Sequence, residues 1–109
     1  MMALTFKKIS VIGLGLIGTS ILHAIKEKAD KQIITMAYDI NPDHRALVKK
    51  MKIASFVFED IKKAIEDADL IILSIPVGKM SDVAKLIAPY IKKNAIITDT
   101  GSTLSLIHI

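Results

Sequence analysis

With 109 residues the chain has room for one domain and not two, and its 51% hydrophobic, 5% aromatic composition is that of an aliphatic parallel sheet covered by helices. The absence of cysteine excludes a disulfide framework and a thiolate metal site, and no apolar run approaches the roughly 18 residues of a membrane span. The formal charge of +4 comes from lysines spread along the chain; with no aromatic residues interleaved to stack bases, they read as solvated surface and a mild attraction for an anionic cofactor, not as a nucleic-acid footprint.

The opening stretch Met1–Lys7 lacks the charged start, apolar middle and small-residue cleavage site of a signal peptide. A cytoplasmic protein with no membrane partner is therefore the expectation. Ile9, Val11 and Ile12 then read as a buried strand that runs into Gly13-Leu14-Gly15-Leu16-Ile17-Gly18, a G-x-G-x-x-G spacing. Each glycine has a physical task in a strand–turn–helix unit. Gly13 permits the tight turn, Gly15 leaves the backbone open to a pyrophosphate, and Gly18 lets the helix lie against the strand. The alternative is that all three serve packing alone. The helix is expected from about Leu16 to Lys28, with Ile17, Ile21, Ala24 and Ile25 on its apolar face and His23 toward solvent.

A second strand, Ile33–Tyr38, ends in Asp39, 21 residues beyond Gly18, near where a dinucleotide fold holds its ribose-binding acid. Asp39 would accept hydrogen bonds from a ribose diol; a turn or helix-capping role is the alternative. A 2′-phosphate about 4 Å away would be repelled by about 4 kcal/mol per unit charge at an effective dielectric near 20, before solvent screening. That favours NAD over NADP unless Arg45 or a lysine offsets it. Asn41-Pro42-Asp43 starts the next helix, which runs to about Met51 with Leu47, Val48 and Met51 inward. His44 and Arg45 fall on its first turn. Arg45 either reaches the adenosine end of a cofactor or is solvated.

Ala54–Phe58 reads as a short third strand, and Glu59-Asp60 opens a helix bearing Ile61, Ala64 and Ile65. Asp69–Pro76 is the strongest strand, and Pro76 ends it because proline cannot donate to a ladder. After Gly78 comes a helix with Met80, Val83, Ile87 and Ile91 on one face, closed by Lys92-Lys93-Asn94. A last strand, Ala95–Thr98, ends in Asp99-Thr100-Gly101-Ser102. Five strands alternating with four helices predict an α/β, doubly wound parallel sheet of the Rossmann type with right-handed crossovers. Ligands bind beyond the carboxyl ends of such strands. One crevice would then be lined by Gly13–Gly18, Asp39, Ser74-Ile75-Pro76 with Val77 and Gly78, and Asp99–Ser102. Ser74–Val77 either passes under the cofactor or simply terminates its strand. Ser102 either sits beside the nicotinamide and substrate or caps a following helix, and the two roles are compatible. None of His23, His44 and His108 belongs to a recognisable catalytic motif, no metal-ligand spacing is present, and no acid–base constellation is complete.

Four segments together give a family resemblance: Val11–Ser20, Tyr38–Pro42, Ala68–Val77 and Ile97–Ser102. The chain resembles the N-terminal nucleotide-binding half of prephenate dehydrogenase and its arogenate-using relatives over residues 8–103. The resemblance implies NAD (or NADP) as cofactor and prephenate or arogenate as substrate. The reaction implied is oxidative decarboxylation of prephenate to 4-hydroxyphenylpyruvate in tyrosine biosynthesis, in a full-length homodimer. Hydride leaves the ring carbon bearing the hydroxyl, and loss of carbon dioxide drives aromatisation. It implies that Ser102 orients the substrate hydroxyl and the catalytic histidine, and that Gly13, Leu14, Gly15, Leu16, Ile17, Gly18, Asp39, Ser74, Ile75, Pro76 and Asp99 line the cofactor. The family's histidine belongs to a His-Pro motif downstream of the Gly-Ser segment. This chain ends before it, so the fragment alone is expected to bind NAD weakly or moderately and turn over nothing.

The family pattern continues Gly-Ser-x-Lys, whereas Leu104 stands at the lysine position. The hexapeptide Leu104–Ile109 matches one reading frame of a transposon-end sequencing adapter, so the native sequence is expected to stop at Thr103; a genuine apolar tail is the alternative. Two further readings stay open. One is another dehydrogenase of the 3-hydroxyisobutyrate or 6-phosphogluconate type, which favours methionine where this chain has Ile17. The other is a non-catalytic NAD-sensing module, which explains the Asp99–Ser102 cluster less well.

Overall fold

Strand and helix alternate along the whole described chain, residues 6–28 and 32–100 of the computed structural model. The order is β1 (Lys8–Ile12), α1 (Leu16–Lys28), β2 (Ile34–Tyr38), α2 (Pro42–Met51), β3 (Phe56–Val57), α3 (Ile61–Ile65), β4 (Leu70–Leu73), α4 (Val77–Ile87), a 3-10 turn (Ala88–Tyr90) and β5 (Ile96–Asp99). The strands form one sheet in the order β3-β2-β1-β4-β5, and every pair is parallel. The chain winds outward from β1 in one direction and returns to β4 on its other side, so the topological switch lies between β1 and β4. Ile12 is level with Tyr38 on one side and with Leu73 on the other, and Leu73 is level with Asp99. The carboxyl ends of four strands therefore share one edge.

Alternate strand residues bury on opposite faces, as a two-residue period demands. Ile12, Met36, Ile71 and Leu73 pack on Ala64 and Ile65 of α3 and Ile87 of α4. Val11 and Ala37 pack on Ile21 and Leu22 of α1 and Val48 of α2. This is the doubly wound architecture read from the sequence.

Details differ for local physical reasons. The inner face of α1 is Gly18, Ile21 and Leu22 with Ile25 half-buried, whereas Ala24 is exposed and Ile17 is 45% exposed. Gly18 fixes that rotation, because a Cβ there would stand 1.9 Å from the Gly13 carbonyl oxygen. In α2 only Val48 is buried; Leu47 and Met51 are 52% and 40% exposed, since the neighbouring β3 is two residues long and offers little surface. The β4 ladder stops at Leu73 and Pro76 becomes the N-cap of α4, with φ −56° and ψ 140°. Helix α4 takes in Gly78 and ends at Ile87, because Pro89 cannot donate the next backbone hydrogen bond. Ile91 lies beyond the helix in extended backbone, yet still packs on the Ile87 cluster.

Candidate functional site

The glycine turn separates into two kinds of position. Gly13 has φ +103°, and a Cβ there would stand 2.1 Å from the carbonyl oxygen of Ser74. Its N–H donates to Tyr38 O at 2.8 Å, and the Ser74 N–H donates to Ile12 O at 2.7 Å, so strands β2, β1 and β4 leave the sheet together. Gly13 and Gly18 are thus demanded by packing. Gly15 is not: a Cβ at Gly15 meets nothing within 4 Å. The packing alternative accounts for two glycines and leaves the one that a pyrophosphate would need.

Helix α1 begins beside that open space. Its first bond runs from Thr19 N–H to Gly15 O at 3.0 Å, so the N–H groups of Leu16, Ile17 and Gly18 find no backbone acceptor among the described residues. The hydroxyls of Thr19 and Ser20 donate back to the carbonyls of Gly15 and Leu16, at 2.8 Å each. Leu16 is 85% exposed here. Leu14 differs from its loop neighbours: its side chain is buried against α1 and α2, and its contribution to the edge is its backbone N–H.

That N–H donates to Asp39 Oδ2 at 2.7 Å, tying the glycine turn to the end of β2. Asp39 Oδ1 accepts from Asn41 N–H at 2.9 Å, and His44 Nδ1 lies 3.0 Å from Oδ2. Burial presses the Asp39 carboxyl upward, but the donors Asn41 and Leu14, with His44, outweigh it and hold it below the usual carboxylate range. The carboxylate is therefore ionised at neutral pH. Asp39 is not the helix cap: Asn41 takes that role, its Oδ1 accepting from Asp43 N–H at 2.8 Å. Arg45 is not simply solvated either, since its Nη1 donates to Asp39 O at 2.8 Å and to Ile40 O at 3.3 Å.

On the other side of the switch point, Ser74 and Ile75 are half-buried, and Pro76 stands exposed with Val77 at the start of α4. Asp99 ends β5 half-buried, and Thr100, buried, donates its N–H to Leu73 O at 3.2 Å. Gly101, Ser102 and the segment 104–109 lie outside the described residues. Among the described residues no three His, Cys, Asp or Glu side chains could hold a metal together.

Two residues that stand at this edge, His44 and Ile40, are not assigned to it from the sequence, whereas Val77 is. His44 pairs with Asp39 because the first turn of α2 folds back over the end of β2; the histidine five residues after the acid, across an Asn-Pro cap, was the available signal. Ile40 and Val77 are 83% and 75% exposed beside Asp39 and Pro76, where exposed aliphatics suit the flat faces of a dinucleotide. Two cavities of about 240 and 380 Å³ lie elsewhere, at the amino ends of the strands: one touches Lys8, Met36 and Phe58, the other Ile25, Thr35 and Ser55. Neither reaches the glycine turn, Asp39 or Ser74.

Comparison with known proteins identifies a family. Residues 21–108 match the family model described as prephenate dehydrogenase, nucleotide-binding domain. The chain is 40% identical over 97 residues to a cyclohexadienyl dehydrogenase of Zymomonas mobilis, covering 89% of this chain and 33% of the relative. It is 39% identical over 100 residues to a prephenate dehydrogenase of Lactococcus lactis, covering 91% of this chain and 27% of the relative. Among solved structures it is similar to the prephenate dehydrogenase of A. aeolicus in complex with hydroxyphenyl propionate and NAD+, with TM-score 0.83, 27% identity, and coverage of 93% of this chain and 35% of that one. The chain spans about a third of the length of the curated relatives it matches.

Proposed function

Because this chain belongs to the prephenate dehydrogenase nucleotide-binding domain family, we propose that it is the dinucleotide-binding part of an NAD-dependent dehydrogenase. The reaction proposed is oxidative decarboxylation of prephenate to 4-hydroxyphenylpyruvate, with arogenate as the alternative substrate. The observation that carries the binding reading is the open space over Gly15, flanked by the bare N–H groups of α1 and by an ionised Asp39. Those N–H groups would face the pyrophosphate, and Asp39 would take the adenosine ribose hydroxyls. Ile40 and Val77 would cover flat ring faces. The bound dinucleotide would supply the hydride acceptor. Ser102 is proposed, by family resemblance alone, to orient the substrate hydroxyl, and Asp99 to line the nicotinamide end. NAD is favoured over NADP because the Asp39 carboxylate opposes a 2′-phosphate.

Calorimetric titration of the chain with NAD+ tests the binding reading. Saturable 1:1 binding is expected, weakened at least about tenfold in Gly15→Val, whose branched side chain fills the open space. Equal affinity in the variant would remove the glycine turn from the site. The assignment to prephenate is tested separately, by assaying prephenate oxidation in the complete open reading frame that contains this segment.

A further inference from the structure

We propose that the charge on His44 sets how strongly the Asp39 site rejects a 2′-phosphate, so that the choice between 2′-hydroxyl and 2′-phosphate adenine dinucleotides depends on pH. This rests on the dinucleotide reading above and goes one step beyond it.

The geometry is specific. Asp39 is nearly enclosed, its side chain 12% exposed, while the His44 side chain 3.0 Å away is 45% exposed. With the carboxylate ionised, Nδ1 must carry the proton and donate to Oδ2. The other ring nitrogen, Nε2, has no hydrogen-bond partner among the described residues. In the neutral ring Nε2 is an acceptor, which repels a phosphate as the carboxylate does. Protonation changes two things at once. It neutralises the pair with Asp39, and it turns Nε2 into a donor. The same side chain that holds the ribose acid is thereby converted from an obstacle to a 2′-phosphate into a partner for it.

The surroundings leave this switch to His44. Asp39, at the end of β2, is its charged partner among the described residues. On its own helix Asp43 and Arg45 are its neighbours. Arg45 keeps a fixed positive charge anchored on the carbonyls of Asp39 and Ile40, which sets a pH-independent baseline. The glycine turn contributes only backbone groups, and β3, against which α2 packs, presents Phe56 and Val57. Asp39 itself, held ionised by its N–H donors, stays charged across the range in which a histidine changes charge.

The test is isothermal titration of the full chain with NAD+ and with NADP+, at about pH 8 and about pH 5.5, which span the range over which an imidazole changes charge. Wild type is compared with His44→Gln. A phosphate monoester also titrates near pH 6, but it does so identically in both proteins. The quantity read is the ratio of the NADP+ and NAD+ dissociation constants, so any general loss of affinity in the variant cancels. Between the two pH values this ratio is expected to fall by roughly tenfold more in wild type than in His44→Gln. An equal fall in both proteins, with NAD+ still bound, overturns the inference and leaves the dinucleotide reading standing. Failure of wild type to bind either dinucleotide overturns both. A second measurement needs no variant: imidazole 15N shifts of His44 in the wild-type chain at one pH should report more imidazolium with NADP+ bound than with NAD+ bound. Equal protonation in the two complexes would overturn the inference as well.

Discussion

At the scale of single residues, the glycine turn makes a prediction that separates folding from binding. Gly13 sits at φ +103° with Ser74 O where a Cβ would go, and Gly18 is similarly closed by Gly13 O. Neither obstacle is a flexible side-chain end; both are backbone just past the carboxyl ends of the central strands β4 and β1. Gly13→Ala and Gly18→Ala should each cost about 3 kcal/mol or more, from strain and overpacking together. Gly15→Ala has room, since nothing lies within 4 Å of its added carbon. Its stability should stay within about 1 kcal/mol of wild type, while NAD+ affinity falls. Urea titrations of the three variants with NAD+ calorimetry alongside decide the matter. Equal destabilisation in all three would mean that Gly15, too, is a packing glycine.

At the scale of elements, α1 shows what the sequence could and could not convey. Its extent, Leu16–Lys28, follows from the glycine turn and the apolar period, but its rotation does not. Both Ile17-Ile21-Ala24-Ile25 and Gly18-Ile21-Leu22-Ile25 fit a helical face in the sequence. The choice is made by the contact of Gly18 with Gly13, a tertiary fact. Leu22→Ala should therefore cost about 2–5 kcal/mol, because Leu22 is fully buried against the sheet. Ala24→Ser should change stability by less than about 0.5 kcal/mol, since Ala24 is exposed. Thermal melts giving the reverse order would refute the observed rotation. The same distinction runs through the site. Gly13, Gly15, Gly18 and Asp39 were legible because their spacing in the chain reflects one strand–turn–helix unit and the strand after it. His44 was not, since its role arises only when a helix turn returns over a strand end. The stop of α4 at Ile87 was legible in Pro89, which the strong apolar period out to Ile91 obscured. Ile91 does pack inward, but as extended chain.

At the scale of the whole molecule, the two edges of the sheet are built for different tasks. The carboxyl edge carries bare N–H groups and an enclosed carboxylate, and the amino edge is closed by ion pairs. Asp69, just before β4, accepts from the N–H groups of Lys7 and Lys8 at 2.8 and 3.0 Å and from Lys92 Nζ at 2.6 Å. Lys92 also reaches Asp67 at 3.6 Å, and Asp67 pairs with Lys8. One cluster thus joins the starts of β1 and β4 to the turn leading into β5. The Lys92 ammonium, chiefly, with the two N–H donors, lowers the Asp69 carboxyl to about 2. A carboxyl lower in the folded chain than in the unfolded one favours the fold wherever it is ionised in both. The stabilisation is therefore complete above the unfolded value, about 3.8, and is lost as pH falls through about 2. Because the cluster is open to solvent, its worth at neutral pH is modest. Asp69→Asn should then lower the melting temperature by a few degrees at pH 7, and the gap to wild type should narrow steadily below about pH 4. Melting curves of both proteins from neutral pH down to acid measure that gap directly. A constant difference across the whole range would mean that Asp69 acts as a hydrogen-bond acceptor whose charge is immaterial to the closure of the amino edge.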